Sequence, residues 1–528
     1  MHWADKIARD IAKKSGDKDT YIIEGGIAPS ARKHIGSFRE IVTGFFVKRA
    51  LEEMGKKARF IYSWDSFDRL KNVSASIPEE KRKALKEYIG VPQGLIPDPF
   101  GCHESYARHF EEFVENEAKK IGVLPEFIYE DKEYMSCRYW KLIMKVIQER
   151  ERIRKIMNKY RSEPLPENWW PVRVYCEKCK NGDYTEIINY DGETNIEYKC
   201  NRCGHTGVMD FSKVGMVKPT WRVDWAMRWY YYNVDFEPSG KDHMVAGSSY
   251  DTSSEIVREI FGREPPLAIM YEFVGKKGEK GKMSASKGNI VTATEVLRIY
   301  PPEVIKYFFA GTKPSKLFVI PFDEEVLKVY EDFYQCERIY FGVEEVSERD
   351  REHWKRVYEL SMNEIPDKIP AQIPFSFISL ISQLFDEDKN FEKIIDLLRK
   401  TGHVNEISEY DEKRIKTLIK KSRNWVNDYA PEKYRIIVQE KIPDEIKNKI
   451  SESQRKALLK LRDELGKEWT SEEIQNKVYE IGKESGNVRE FFQNLYTLLI
   501  GKKSGPRAGQ FILAIGKEKV MKILGQLR

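Results

Sequence analysis

Two short stretches carry the residue types that act on phosphate. One is Lys282-Met283-Ser284-Ala285-Ser286, set among glycines and lysines that run from Gly275 to Asn289. Small residues let a backbone close on a ligand, and a lysine ammonium on its flexible stem is a mobile point charge for phosphate. The other is Pro29-Ser30-Ala31-Arg32-Lys33-His34-Ile35-Gly36-Ser37, which follows the apolar run Tyr21-Ile22-Ile23. A buried strand, a Gly-containing turn and a helix beginning near His34 aim helix N–H groups and an imidazole at an anion. Either stretch alone reads most simply as a solvated loop; the pair carries the weight.

A second chemistry is metal binding. Four of the seven cysteines form Cys176-Glu177-Lys178-Cys179 and Cys200-Asn201-Arg202-Cys203, two C-x-x-C pairs about 20 residues apart, which is zinc-ribbon spacing. Four thiolates give closed tetrahedral zinc, a structural site. His205 is close enough to replace one cysteine, but four already fill the sphere. Upstream, Asp98, Cys102, His103 and His109 fall within one short stretch. Asp98 and Cys102 bracket Pro99-Phe100-Gly101, a turn able to fold both side chains to one side. A helix beginning near His103 puts His109 about two turns on, and the donor mixture suits a second zinc. The expectation is one or two Zn2+ per chain.

These residues need elements to hold them. Phe38 to Met54 carries apolar residues at helical intervals (Ile41, Val42, Phe45, Phe46, Ala50) and ends near Gly55. A strand, Arg59 to Trp64, then runs into the acidic loop Asp65-Ser66-Phe67-Asp68. That rhythm predicts a doubly wound parallel sheet with its ligands at the carboxyl ends of the strands. Gly90 to Gly101 breaks regular structure, Trp140 to Tyr160 reads as one charged amphipathic helix, and Pro171 to Val214 as short strands and turns. The sheet resumes near Pro219: the cluster Thr220 to Trp225, then Gly240-Lys241-Asp242-His243 before a small-residue strand end at Val245 to Ser249. The apolar run Leu267 to Val274 is another strand, feeding the Lys-Met-Ser loop. From Val304 on, the pattern is helical without further βαβ alternation. Thr470-Ser471-Glu472-Glu473 is a capping box, Gly501 to Arg507 an interruption, and a last helix runs from about Ala508. Lys420, Lys421, Arg423, Lys502 and Lys503 are candidates for nucleic-acid phosphates, each with a solvated helix face as the simpler reading.

Composition narrows the class. A chain of 528 residues with 41% apolar content has room for about three or four domains of roughly 150 residues. A net charge of +6 over that length does not by itself indicate nucleic acid, and 33% charged residues is a composition common in heat-adapted proteins. Clustered cysteines exclude a secreted disulfide framework. There is no apolar stretch of about 18 residues, and the N-terminus lacks a signal-peptide apolar core, so a cytoplasmic enzyme with no membrane contact is expected.

Together the phosphate stretches resemble the paired His-Ile-Gly-His and Lys-Met-Ser-Lys-Ser signatures of class I aminoacyl-tRNA synthetases. Ser37 stands where the family usually has its second histidine and Ala285 where it has its second lysine, so His34 and Lys282 are the catalytic candidates; Lys280 or Lys287 stands in for the missing lysine. Essentially end to end, the chain resembles the class I lysyl-tRNA synthetases found mainly in archaea and some bacteria. The carrying residues are the Pro29–Ser37 loop, Trp221 to Trp225, Gly240 to His243, the divergent Lys-Met-Ser-Ala-Ser and Trp425 to Glu432.

The resemblance implies a Rossmann-type α/β catalytic domain with a zinc-bearing insertion, followed by an all-α anticodon-binding domain. Its divisions are 1–95 and 219–300 for the catalytic halves, 96–218 for the insertion with its ribbon at 176–203, 301–350 for a stem-contact-like helical region and 351–528 for the helical anticodon domain. It implies ATP with Mg2+, L-lysine and tRNA(Lys) as ligands, and a monomer. ATP would be held by Pro29, Ser30, His34, Gly36, Ser37, Gly240, Asp242, Lys282, Met283, Ser284 and Ser286. Lysine would be held by Glu24, Gly26, Ala28, Trp221, Asp224, His243 and Tyr271. Chemistry supports part of this directly: a lysine side chain needs a buried carboxylate for its ammonium and aromatic faces over its methylenes. Asp224 between Trp221 and Trp225 offers both, with Glu24 beside Gly25-Gly26 as a second carboxylate. Two other readings stay open. A glutamate-charging relative would present arginine, for which Arg222 is a candidate, and a non-catalytic zinc-ribbon RNA-binding protein would need neither His34 nor Lys282.

Overall fold

The computed structural model describes residues 1–276 and 290–528. They form two compact units: residues 1–296, 305–320 and 356–363 in the first, and 297–304, 321–355 and 364–528 in the second.

The first unit is built on a five-stranded sheet of β1 (Tyr21–Ile27), β2 (Ala58–Trp64), β3 (Glu126–Tyr129), β4 (Phe236–Gly240) and β5 (Leu267–Tyr271). The spatial order is β5-β4-β1-β2-β3, every pairing parallel. The chain builds outward from β1 to one side, then returns and builds outward to the other. Between β1 and β4 the order therefore reverses, and the crevice at their carboxyl ends is where such sheets hold ligands. Strand β1 is buried from Tyr21 to Gly25, which explains its unbroken apolar start; Glu24 is the exception. Helix α1 (Trp3–Ser15) packs Ala4, Ile7, Ala8 and Ile11 inward. Helix α2 (Phe38–Glu53) lies on the sheet so closely that a methyl at Gly44 would stand 2.6 Å from the Phe60 ring.

Between β3 and β4 the chain inserts helices and small antiparallel sheets. Thr185–Tyr190, Asn195–Cys200 and Thr206–Asp210 form one three-stranded sheet, and Val172–Val174 pairs with Val217–Pro219. The expected helix from Trp140 to Tyr160 is two, Trp140–Gln148 and Arg150–Lys159, because Glu149 leaves the helical region (ψ 15°). The expected strand end at Val245 to Ser249 is instead a loop to Ser248 and the start of a helix at Ser249: β4 already ends at Gly240, and Gly247 takes a left-handed turn (φ +76°) whose N–H donates to Asp251. A short strand, Phe318–Ile320, pairs in parallel with Val274–Lys276, a βαβ element too short to show as a period in the sequence.

The second unit is helical. Trp425, at 0% exposure, donates its indole N–H to the Phe322 carbonyl at 2.9 Å. Arg414 and Glu337 form a buried two-point pair at 2.8 and 3.0 Å. The capping box at Thr470 closes with Glu473, and a second one, Ser408 with Asp411, opens the long helix Glu409–Asp428. The last helix is two, Ala508–Ile515 and Lys517–Gly525, parted by Gly516 at φ +96°. Four of the five cations set aside for phosphates are engaged within the unit. Lys421 and Lys502 donate to backbone carbonyls, Arg423 to carbonyls and Glu387, and Lys420 faces Glu387 and Asp388. Long basic side chains on a helix face reach local acceptors that spacing alone does not reveal.

Candidate active site

The His34 turn stands directly beyond the carboxyl end of β1. Helix α2 begins at Phe38, not near His34; Ile35–Ser37 form a single 3₁₀ turn before it. Gly36 is needed there, since a methyl would lie 2.7 Å from His34 Nδ1, so the imidazole folds over a bare backbone. Lys33 turns back to donate to the Ala28 carbonyl at 2.7 Å, and desolvation lowers its pKa to about 8. Tyr106 fixes Ser30 through its carbonyl. Lys282, Met283, Ser284 and Ser286, with Lys280, Ala285 and Lys287, lie outside the described residues. The residues flanking that stretch do come to the turn: Ile35 N–H donates to the Val291 carbonyl at 2.7 Å, and Val274 N is 3.7 Å from where a Gly36 side chain would start.

Behind the turn lies a chamber of buried carboxyls. Glu24 on β1 is 2% exposed; its Oε1 accepts from Ser63 Oγ at 3.3 Å, and its Oε2 has no hydrogen-bond partner. Glu40 on α2 accepts from Gly26 N–H at 2.6 Å and from the Tyr271 hydroxyl at 2.7 Å. Glu237 on β4 accepts from the indoles of Trp225 and Trp229. Burial, the largest influence on each, raises Glu40 to about 7 and Glu237 to about 8 and pushes Glu24 well above the usual range, with Glu237 adding to the shift at Glu24.

The neighbouring acids are already neutralised. Arg228 meets Asp65 at 2.9 Å and Glu130 and Asp224 at 3.4 Å; Lys218 meets Asp68 at 2.7 Å and Asp224 at 3.4 Å. Asp224, with no exposure, also accepts the Tyr134 hydroxyl. Its charge is spent on Lys218 and Arg228, whereas Glu24, Glu40 and Glu237 have no cation within 4 Å among the described residues. A buried carboxylate without a counter-charge is costly. Burial without a contacting cation favours the neutral form of all three carboxyls.

The remaining candidates line the same edge. Gly240 and Tyr271 are register partners at the ends of β4 and β5. Asp242 and His243 follow on the exposed turn Lys241–Met244. Trp221 and Trp225 stack at 5.0 Å, and the His243 ring is 5.9 Å from Trp221. Trp225 is core, 3% exposed and tied to Glu237, while Trp221 is half-buried.

Two donor clusters lie apart from this edge. The Sγ atoms of Cys176 and Cys203, and of Cys179 and Cys200, are 3.6 Å apart, and all four lie within 4.8 Å of one another. Tetrahedral Zn–S bonds of about 2.3 Å require Sγ separations of about 3.8 Å, so the four thiols fit zinc. In the second cluster, Cys102 Sγ is 3.0 Å from His103 Nδ1, 3.3 Å from His109 Nδ1 and 3.4 Å from Asp98 Oδ2. The helix carrying His109 starts at Tyr106, capped by Ser105, and not at His103. That later start brings His109 back over the turn, where Phe100 stacks on it at 4.2 Å.

Residues 1–364, over half of the chain, match the family model of tRNA synthetases class I (K). The chain belongs to the class I tRNA synthetases of the K group. Residues 413–526 match an anticodon binding domain. Over 99% of its length the chain is 42% identical to a lysine--tRNA ligase of Pyrococcus horikoshii, covering 99% of that protein. It is 40% identical to a lysine--tRNA ligase of Borreliella burgdorferi over 99% of this chain and 98% of that one. No helix among the described residues is long and apolar enough to cross a membrane.

Sequence reasoning passed over several residues of this synthetase's chamber: Glu40, Glu237, Glu130, Lys218 and Arg228. The available signal was a charged residue inside an apolar stretch, as Glu237 is between Phe236 and Pro238, and Glu40 on the inward face of α2. Such residues are rarely fully buried unless paired.

Proposed function

We propose that this synthetase attaches L-lysine to tRNA(Lys) with ATP, through a lysyl-adenylate. The observation that carries the amino-acid assignment is the open Oε2 of Glu24, buried midway along β1 near Glu237, on the strand where the sheet order reverses. A lysine ammonium placed there completes Glu24 and compensates its neighbours. Gly26 and Ala28 let the substrate lie along the backbone, while Trp221, His243 and Tyr271 flank its stem and α-groups. Asp224 acts behind Glu24, holding Arg228 and Lys218 in place. Against glutamate as substrate through Arg228, that guanidinium is already saturated by three acids.

The carboxylate of lysine attacks the α-phosphate of ATP in line and pyrophosphate leaves; a hydroxyl at the 3′ end of the tRNA then attacks the lysyl carbonyl and AMP leaves. The protein's part is positioning and charge stabilisation. His34 donates to phosphate oxygens as charge develops, joined by Lys282. Pro29, Ser30, Gly36 and Ser37 shape the nucleotide side, Gly240 and Asp242 hold the ribose, and Met283, Ser284 and Ser286 accompany Lys282. Mg2+ arrives with ATP. Cys176, Cys179, Cys200 and Cys203 would hold a structural Zn2+, and Asp98, Cys102, His103 and His109 a second. The divisions 1–95, 96–218, 219–300, 301–350 and 351–528 are the accompanying reading of the chain, as are a monomer and a cytoplasmic site of action, where its tRNA is used.

Aminoacylation of total tRNA with each labelled amino acid in turn tests the proposal. Lysine alone should be incorporated; incorporation of glutamate, or of nothing, would overturn it.

A further inference from the structure

Helix α2 buries two neighbouring charged residues, Arg39 and Glu40, and the chamber accounts for only one of them. Arg39, 1% exposed, finds its partners elsewhere. Its Nη2 donates to the carbonyls of Lys313, Pro314 and Lys316 at 2.6, 2.8 and 2.8 Å. The guanidinium carbon stands 4.8 Å from the centre of the Phe318 ring, and Nη1 is buried with no hydrogen-bond partner. Burial pulls the Arg39 pKa down to about 10, and Glu272 opposes that fall. The group therefore stays charged at neutral pH while carbonyl dipoles hold it.

A buried charge held this way is unfavourable, and an apolar side chain of similar volume would fill the same wall with less penalty. What the guanidinium adds is direction. Three acceptors on one planar group fix the segment 313–316 at a set distance and angle from α2. That segment needs a fixed point. It leads into Phe318–Ile320, which pairs only with Val274–Lys276, Val274 standing opposite Phe318. A two-stranded sheet is marginal on its own in water. Phe309 packs on the Phe318 ring at 5.2 Å, and Arg39 holds the backbone leading to it. The Pro314 carbonyl also accepts the Glu272 N–H at 2.9 Å, so the same point ties down the chain as it leaves β5.

This clamp borders the nucleotide side of the site. Arg39 lies two residues after Ser37, and the Val274 backbone nitrogen is 3.7 Å from where a Gly36 side chain would start. The His34 turn and the strand Val274–Lys276 thus meet at Gly36. Arg39 links the helix that follows the turn to the segment that supports the strand.

We propose that Arg39 is a positioning residue for adenylate formation, setting the separation between the His34 turn and the strand Val274–Lys276. This assignment rests on the reading of the His34 turn as part of the ATP site given above. The test is ATP–pyrophosphate exchange by the full-length protein with L-lysine and tRNA present. Arg39→Met removes all three carbonyl contacts, and Arg39→Lys keeps the charge but not the planar group. The exchange kcat should fall roughly 10²-fold in Arg39→Met, the scale for a displacement of about 1 Å near reacting groups. It should fall less in Arg39→Lys, and the KM for lysine should not move in either.

The deciding readout is the combination with His34→Ala. Loss of Arg39 should matter less once the imidazole it places is gone, so the double variant should fall short of the product of the two single losses by at least about tenfold. A scaffold role predicts that the losses multiply, which would overturn the assignment, as would an unchanged kcat in Arg39→Met. If Arg39→Met does not fold, Arg39→Lys in the same pairing gives the same decision. An unchanged exchange rate in His34→Ala would overturn the ATP reading of the turn and the role of Arg39 with it. A marked loss in His34→Ala with multiplying effects would sink the role of Arg39 alone.

Discussion

Glu24→Gln separates a substrate-binding carboxylate from a structural one. The amide keeps the shape and the Ser63 contact but removes the charge that the lysine ammonium would meet. Breaking one side of a buried ion pair costs about 3–5 kcal/mol. Glu40 and Glu237 remain close by, so the lower part of that range applies: about 3–4 kcal/mol, or 10²–10³ in the KM for lysine, with the KM for ATP nearly unchanged. The effect on the free protein should be the reverse. Burial and Glu237 push the Glu24 pKa up, so its ionised form opposes folding, and Glu24→Gln should melt no lower than the parent at pH 8. Asp224→Asn is the contrasting variant. It strips a counter-charge from Lys218 and Arg228, both nearly unexposed (4% and 3%), and should lower Tm by on the order of 10 °C, from about 3–5 kcal/mol over a large unit. Steady-state kinetics for both substrates, with thermal melts of both variants, decide the matter. An unchanged lysine KM in Glu24→Gln, together with a fallen Tm, would refute the reasoning and make Glu24 part of the scaffold.

Other outcomes follow from the same geometry. Glu40 and Glu237 titrate near 7 and 8 in the free protein, and a bound ammonium favours their ionised forms, so the lysine KM should fall as pH rises from 6 to about 8.5; a flat profile would remove both from the pocket. Their raised pKa values mean the folded state holds more protons than the unfolded one, so stability present at low pH should be lost progressively as pH rises from about 4.5 through 7 to 8, and saturating lysine should restore part of it in a pH series of melts. His34→Ala and Lys282→Ala should each slow adenylate formation by roughly 10²–10³, as for other transition-state donors; pyrophosphate exchange in the presence of tRNA reads this directly. Chelator-washed protein should retain about two zinc ions per chain, one per donor cluster, and the double variant Cys102→Ser/His103→Ala about one, measured by elemental analysis.

The class of sheet, the ribbon and the place of the His34 stretch after β1 were legible in the sequence, although the helix that follows begins at Phe38. Those features are local: an apolar strand, a Gly turn and paired C-x-x-C knuckles depend on neighbours within a few residues, and spacing records them. It also carried the helical second half, through capping boxes such as Thr470 with Glu473. Only the tertiary structure decided which carboxylate stands open. Asp224 and Glu24 look alike in sequence, each an acid among apolar or aromatic residues. Their difference comes from Lys218, Arg228 and Tyr134, which the fold brings into contact with Asp224, whereas Arg228 acts on Glu24 only from beyond 4 Å. Likewise Glu40 and Glu237 enter the chamber because α2 and β4 flank β1, an adjacency set by the order β5-β4-β1-β2-β3. Whether a buried charge is compensated is a property of three dimensions, because the compensating groups come from strands and helices far apart along the chain.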